Sequence, residues 1–403
     1  MSIPLPRRLG TADAVLVGLA SMIGAGVFVV FAPAAAAAGS GLLAGLAVAA
    51  AVACCNALSS ARLAVRYPES GGAYVYGRAR LGPFWGYLAG WSFVVGKTAS
   101  CAAMALTVGL YLWPAAAHAV AVAAVVALTA LNYRGIQKSA VATRVIVSLT
   151  LAVLAAAVTV VATSGRSESA GLALTGATPA GVLQAAGLLF FAFAGYARIA
   201  TLAEEVRDPA RTIPRAVLIA LGITLAVYAA VAVAVLSVLG PRQLAASTAP
   251  LADAIRACGA TGFEPVLRIG AAIAALGSLL ALILGVSRTV LAMARDRYLP
   301  ATLAAVHPRF GVPHHAEVAV GTVVAVLAGL ADLRAAIGFS SFAVLIYYAV
   351  ANAAAWTLGH RLVPATGLAG CLLIAVFLPA SSVLTGVAVL AAGAAGYAAL
   401  RLR

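Results

Sequence analysis

The chain has 403 residues, 64% of them hydrophobic and only 9% charged, with a formal net charge of +15 and a mean hydropathy of +1.07. A soluble domain carries about 25% charged residues; this chain has too few to cover an aqueous surface, so lipid is the expected solvent. The positive charge does not mark a nucleic-acid surface, because it is scattered between apolar runs instead of gathered on one soluble face.

In chain order, Arg7 and Arg8 precede an apolar run that reads as a retained first span and not as a cleaved leader. A spanning helix needs about 20 mostly apolar residues. Twelve stretches qualify, at roughly 12–31, 40–61, 83–112, 115–132, 144–163, 181–203, 213–239, 265–294, 315–331, 335–357, 363–379 and 381–400. The reading is therefore all-α: a single polytopic transmembrane unit over 1–403. An even number of spans puts both termini on one side. Nineteen of the 26 basic residues fall on that side, among them Arg62, Arg66, Arg78, Arg80, Arg134, Lys138 and Arg144. Five fall on the other: Arg166, Arg242, Arg256, Arg268 and Arg334. The positive-inside rule then places both termini in the cytoplasm and the chain in the cell (inner) membrane. Of the five cysteines, Cys54, Cys55, Cys101 and Cys371 lie in apolar segments and Cys258 stands in a loop, so no disulfide framework is expected.

Two spans carry an internal weakness. The first contains Ser21, Met22, Ile23, Gly24, Ala25 and Gly26, and glycine costs about 1 kcal/mol relative to alanine in a helix. The sixth contains Phe191, Ala192, Phe193, Gly195 and Tyr196, followed by the charge of Arg198. These spans open two five-span halves, about 11–163 and 181–357, which start on opposite faces because five is odd. Paired broken helices in an inverted repeat are a transporter arrangement. Unwound backbone at mid-membrane is tolerated only beside a cavity or a ligand. The renewed helix N-terminus near Gly26 attracts a carboxylate, and freed carbonyls near Phe191 and Ala192 attract an ammonium. A zwitterionic amino acid suits both. For any one glycine pair, close helix packing is the competing explanation; Gly41 and Gly45 have the spacing for that.

The first span is similar to the Gly-Ser-x-Ile-Gly-Ser/Thr-Gly-Ile-Phe signature of the amino acid–polyamine–organocation permeases. Phe190 to Arg215, with Glu204-Glu205-Val206-Arg207-Asp208-Pro209, resembles that family's sixth span and following loop. Ser287-Arg288 through Met293 to Pro300 resembles the end of its eighth span, and His307-Pro308-Arg309 with Val312-Pro313 resembles the loop beyond it. Pro68 to Tyr74 is similar to its loop between spans 2 and 3. The resemblance implies the leucine-transporter fold: a 5+5 inverted repeat plus two C-terminal helices at about 363–400, working by alternating access. It also implies that backbone from Ser21 to Gly26 holds the substrate carboxylate. Phe191, Ala192 and Phe193 then offer carbonyls to the amino group, Tyr196 gates the side chain and Ile199 lines the pocket.

The chain departs from the family pattern at three places. The mid-span-5 position that is lysine in some proton-coupled members falls on Thr150. Lys97 instead lies about 14 residues, or about 21 Å, into span 3; a charge there is costly, so it is neutral, solvated or paired, serving either proton coupling or structure. Arg198 does not lose its proton and either pairs with Glu205 or lines the pocket. Glu204, Glu205 and Arg207 form an inner gate or a solvated charged loop, and Asp13 joins that gate or stabilises a helix N-terminus. His314, His315 and Glu317 lack a further ligand for a metal, and no motif points to catalysis or a cofactor.

The expected activity is secondary transport of an amino acid. Neutral substrates are favoured, since Phe193, Tyr196 and Ile199 offer no acidic group. Coupling is to protons or exchange, with sodium left open. The alternatives are an amine or polyamine antiporter or exporter, and, in another class, a non-transporting sensor. The expected partners are the small molecule and the lipid bilayer, with no nucleic acid and no obligate protein partner.

Overall fold

The computed structural model describes residues 10–69, 71–135, 140–166, 176–200 and 206–401. Among these residues the regular structure is helical, and nine helices are long and apolar enough to cross a membrane. Three shorter apolar helices, Pro179–Phe193, His314–Leu330 and Leu362–Val376, stand where the sequence placed spans 6, 9 and 11.

The first span is built from α1 (Thr11–Met22), α2 (Gly26–Val29) and α3 (Phe31–Ala38). It runs past the expected end near 31, because the alanine run from Ala34 continues the helix and Pro33 sits in the first turn of α3, where a missing N–H costs little. Gly39, at φ 57, closes it. α4 (Leu42–Arg66) is the second span. The stretch after it, expected to be loop, contains a further helix, α5 (Ala73–Leu81), entered through Gly72 at φ 58 and left through Gly82 at φ 106. α6 (Pro83–Leu112), α7 (Ala117–Tyr133) and α8 (Ala140–Thr163) complete the first half.

α9 (Pro179–Phe193) and the short α10 (Ala197–Ala200) make the sixth span. Pro179 at the first helical position and the Thr178 hydroxyl accepting from Gly181 N start it. α11 (Pro209–Ala246) contains a kink at Gly240 (φ 64, ψ 170), so its spanning part ends where expected, at 239. Beyond it, α12 (Pro250–Ala257) is a short amphipathic helix between spans. α13 (Glu264–Arg295), α14 (His314–Leu330), α15 (Leu333–Trp356), α16 (Leu362–Val376) and α17 (Ala380–Arg401) complete the chain.

α6 lies at the centre, packed against α13 and α15. α1 packs on α11 and α8, and α9 on α4, α3 and α15. This brings the two interrupted spans into contact at the middle of the bundle. Large residues exposed on α14 to α17, such as Leu330, Leu362, Val376 and Leu384, fit a lipid-facing surface.

Candidate functional site

Both expected interruptions are present. α1 ends at Met22 because Ile23 leaves the helical region at ψ 69, after its amide has bonded the Leu19 carbonyl at 2.7 Å. The Gly24 amide turns back to the Met22 carbonyl at 3.0 Å, and helix resumes at Gly26. Among the described residues, the amides of Ala25, Gly26 and Val27 have no hydrogen-bond acceptor, which is the condition of a helix N-terminus. In the sixth span α9 ends at Phe193. Ala194 (φ −64, ψ 6) caps it, and three residues separate it from α10.

The two breaks touch. A Cβ placed on Gly26 meets the Ala192 Cβ at 2.8 Å and its Cα at 3.0 Å. One placed on Gly195 collides with the Ser21 carbonyl, and one on Gly24 collides with Ser278 on α13. Gly26 and Gly195 are therefore required by close backbone approach as well as by the breaks, and Gly24 makes room for the Ser278 side chain. Ile199 packs on Gly18 of α1, and Phe191 borders the Gly26 contact. Met22, Ile23, Ala25, Phe191, Ala192, Phe193, Tyr196 and Ile199 are all buried. The Ser21 hydroxyl bonds its own helix at the Val17 carbonyl, 2.9 Å away.

The carbonyls released by the breaks are met by side chains from other helices. The Tyr228 hydroxyl on α11 donates to the Met22 carbonyl at 2.6 Å and reaches the Ala192 carbonyl at 3.1 Å. The Lys97 ammonium on α6 donates to the Ala194 carbonyl at 3.3 Å, and the Tyr348 hydroxyl on α15 donates to the same oxygen at 3.1 Å. The Tyr111 hydroxyl donates to the Phe28 carbonyl at 2.8 Å. The Phe193 carbonyl, expected to accept from the amino group, accepts instead from the Tyr196 amide at 3.4 Å. Tyr196 stacks on Tyr348 with ring centroids 4.9 Å apart, and Phe193 meets Tyr228 edge-on at 5.1 Å.

Lys97 is thus paired with a backbone oxygen at the second break, a position that span counting alone did not reveal. Thr150 is buried on α8, and its hydroxyl bonds its own helix at Ile146, 2.7 Å away. Arg198 is exposed on α10. Its expected partner Glu205, with Glu204, lies outside the described residues. Of the inner-gate residues, Asp13 forms a 2.6 Å ion pair with Arg144, tying α1 to α8, and Arg207 is exposed. On the same side, Tyr74 and Arg78 of α5 both bond Asp296 at the end of α13, the arginine at 2.6 Å. Burial first, and the neighbouring Asp296 second, push the Tyr74 hydroxyl above its ordinary range, so it stays a donor. Arg62 and Arg80 bond backbone of the turn after α15, at Gly359 and Thr357, each at 2.7 Å. On the opposite side, Glu264 accepts from Arg256 at 2.5 Å and Arg268 at 2.7 Å.

Tyr228, Tyr348 and Tyr111 were missed by sequence reasoning. The available signal was a tyrosine hydroxyl inside an otherwise apolar span, which must find an acceptor there.

The family profile for amino acid permeases matches residues 9–397. An uncharacterized transporter of Mycobacterium tuberculosis is 68% identical over 405 residues, covering 99% of this chain and 92% of the relative. The branched-chain amino acid permease BcaP of Bacillus subtilis is 29% identical over 82% of this chain and 76% of its own. A chloroplastic cationic amino acid transporter of Arabidopsis thaliana is 28% identical over 86% of this chain and 65% of its own. The chain belongs to the amino acid permease family of the amino acid–polyamine–organocation superfamily, and is a multi-pass membrane protein of that transporter class.

Proposed function

We propose that this permease carries neutral amino acids by alternating access, coupled to protons or to exchange, in the cell membrane with both termini in the cytoplasm. The halves 11–163 and 181–357 act as inverted repeats whose broken helices grip the substrate. The carrying observation is the contact between the two breaks. It places the unbonded amides of Ala25, Gly26 and Val27 beside a second break whose carbonyls are engaged by side-chain donors from other helices. Amides at a helix start suit a carboxylate, and carbonyls at a helix end suit an ammonium.

A neutral side chain is favoured because the cation Lys97 donates to a carbonyl of the span-6 break. A cationic side chain adds a further positive charge to that of the α-ammonium in a medium of low dielectric, and among the described residues no carboxylate pairs with Lys97 to offset it. One relative is named for branched-chain amino acids and another for cationic ones, so the choice of class rests on Lys97.

The test is counterflow in proteoliposomes loaded with unlabelled L-leucine, with external labelled L-leucine or L-arginine. Leucine accumulation that exceeds arginine accumulation is expected. Binding without accumulation overturns transport and supports a sensor; arginine exceeding leucine overturns the neutral class. Repeating the assay with an imposed pH gradient, or with internal substrate omitted, separates proton coupling from exchange.

A further inference from the structure

The Ala194 carbonyl lies off the helical ladder. The following amides bond Gly195 and Tyr196 instead, as Arg198 N to Gly195 O and Ile199 N to Tyr196 O, each at 3.0 Å. A peptide oxygen at mid-membrane needs a donor, and here it has two, the Lys97 ammonium and the Tyr348 hydroxyl. Lys97 is buried, and among the described residues no carboxylate pairs with it. Its one bonded partner is therefore the end of a broken helix. An ammonium donating to a break carbonyl is the kind of contact that the reading above assigns to the α-ammonium of a substrate.

We propose that Lys97 is a tethered stand-in for the substrate's α-ammonium: it holds the span-6 break together while the unloaded carrier reorients, and it yields the carbonyl when substrate binds. The inference rests on the transporter reading above and deepens it. α6 packs on α13 and α15 and reaches the break from outside the two broken spans, so the lysine links the moving backbone to its surroundings. The Tyr348 hydroxyl shares the oxygen at 3.1 Å as a neutral donor, and Lys97, at 3.3 Å, is the one of the two that carries a charge. Net uptake requires the unloaded carrier to return, whereas exchange does not. Lys97 thus controls whether the protein performs net transport or only exchange.

The experiment compares net uptake into substrate-free proteoliposomes with exchange into leucine-loaded ones, for wild type and Lys97→Met, using labelled L-leucine. The expected result is a ratio of exchange to net uptake that rises about tenfold or more in the variant, the scale of one charge-assisted bond. An unchanged ratio, whether both fluxes fall together or both persist, overturns the proposal. Should Lys97→Met fail to fold, Lys97→Gln keeps an N–H donor without the charge. A raised ratio then supports the tethered ammonium, and a wild-type ratio overturns it. Wild-type protein that neither exchanges nor takes up leucine, arginine or other amino acids refutes the transporter reading itself, and is told apart by being independent of Lys97.

Discussion

The Tyr228 hydroxyl lies 2.6 Å from the Met22 carbonyl oxygen, joining residues 206 apart in sequence. Because the same hydroxyl stands 3.1 Å from the Ala192 carbonyl, one side chain of α11 holds the edges of both breaks. Tyr228 is fully buried, wedged edge-on between Phe31 and Phe193.

Tyr228→Phe keeps that packing and removes the donor. Met22 retains the Gly24 amide at 3.0 Å, but Ala192 loses its partner. An unsatisfied buried acceptor costs about 1–3 kcal/mol. The expected outcome is a lower unfolding temperature in detergent and reduced leucine counterflow, read by thermal-shift and flux assays on the same preparation. An unchanged melting temperature contradicts the role.

Gly195→Ala and Gly26→Val both insert carbon atoms where two backbones meet, against Ser21 and Ala192 respectively. Backbone does not give way as a side-chain tip does, and overpacking of this kind costs about 1–3 kcal/mol. Both variants are expected to lose most transport. Gly222→Ala serves as the control, since no atom lies within 4 Å of its added carbon; it should transport like wild type.

The Asp13–Arg144 pair bridges α1 and α8 at 2.6 Å with both side chains partly exposed. An exposed pair contributes about 1 kcal/mol or less, so Asp13→Asn should barely alter the melting temperature. It should instead shift the balance between inward-open and closed forms, raising the labelling, from the cytoplasmic face, of a cysteine introduced on α1 as Val15→Cys. The charge swap Asp13→Arg with Arg144→Asp should restore the wild-type labelling rate; failure of the swap would argue against a gate.

Asp296 joins Tyr74 and Arg78 of α5 to the end of α13. Tyr74 has its pKa raised from 10.0 by burial and then by Asp296. A raised pKa means the bond's contribution is fully present below the unfolded value and is lost only as pH rises through the folded one. The latch should therefore hold across roughly pH 6–9, since the unfolded tyrosine value is about 10. Asp296→Ala should loosen α5, seen as faster proteolysis near residues 67–73, to the same extent across that range. A latch that opens between pH 6 and 9 in wild type would show that another group governs it.

The spans and the two breaks were legible from residue order because both are local properties. Hydropathy over about 20 residues decides whether a segment tolerates lipid, and glycine within such a segment weakens its own helix. Gly24, Gly26 and Gly195 marked the interruptions for that reason, and the turn at Gly240 coincided with the expected end of span 7. Helix α5 escaped notice because it is neither apolar nor long enough to be recognised as a span. The extension of the first span to Ala38 was hidden behind Pro33, whose effect depends on its place in the turn.

Partners were another matter. Lys97 was plainly a buried cation in search of a neighbour, yet its oxygen lies 97 residues away, on Ala194. Nothing in the order of residues distinguished Tyr228, which clamps both breaks, from tyrosines that merely pack. Residue order settles which stretches enter the bilayer and where their ladders fail, because each helix there satisfies its own backbone. Which donor meets a freed carbonyl depends on the faces that distant helices turn to one another, and packing of the whole bundle alone decides that.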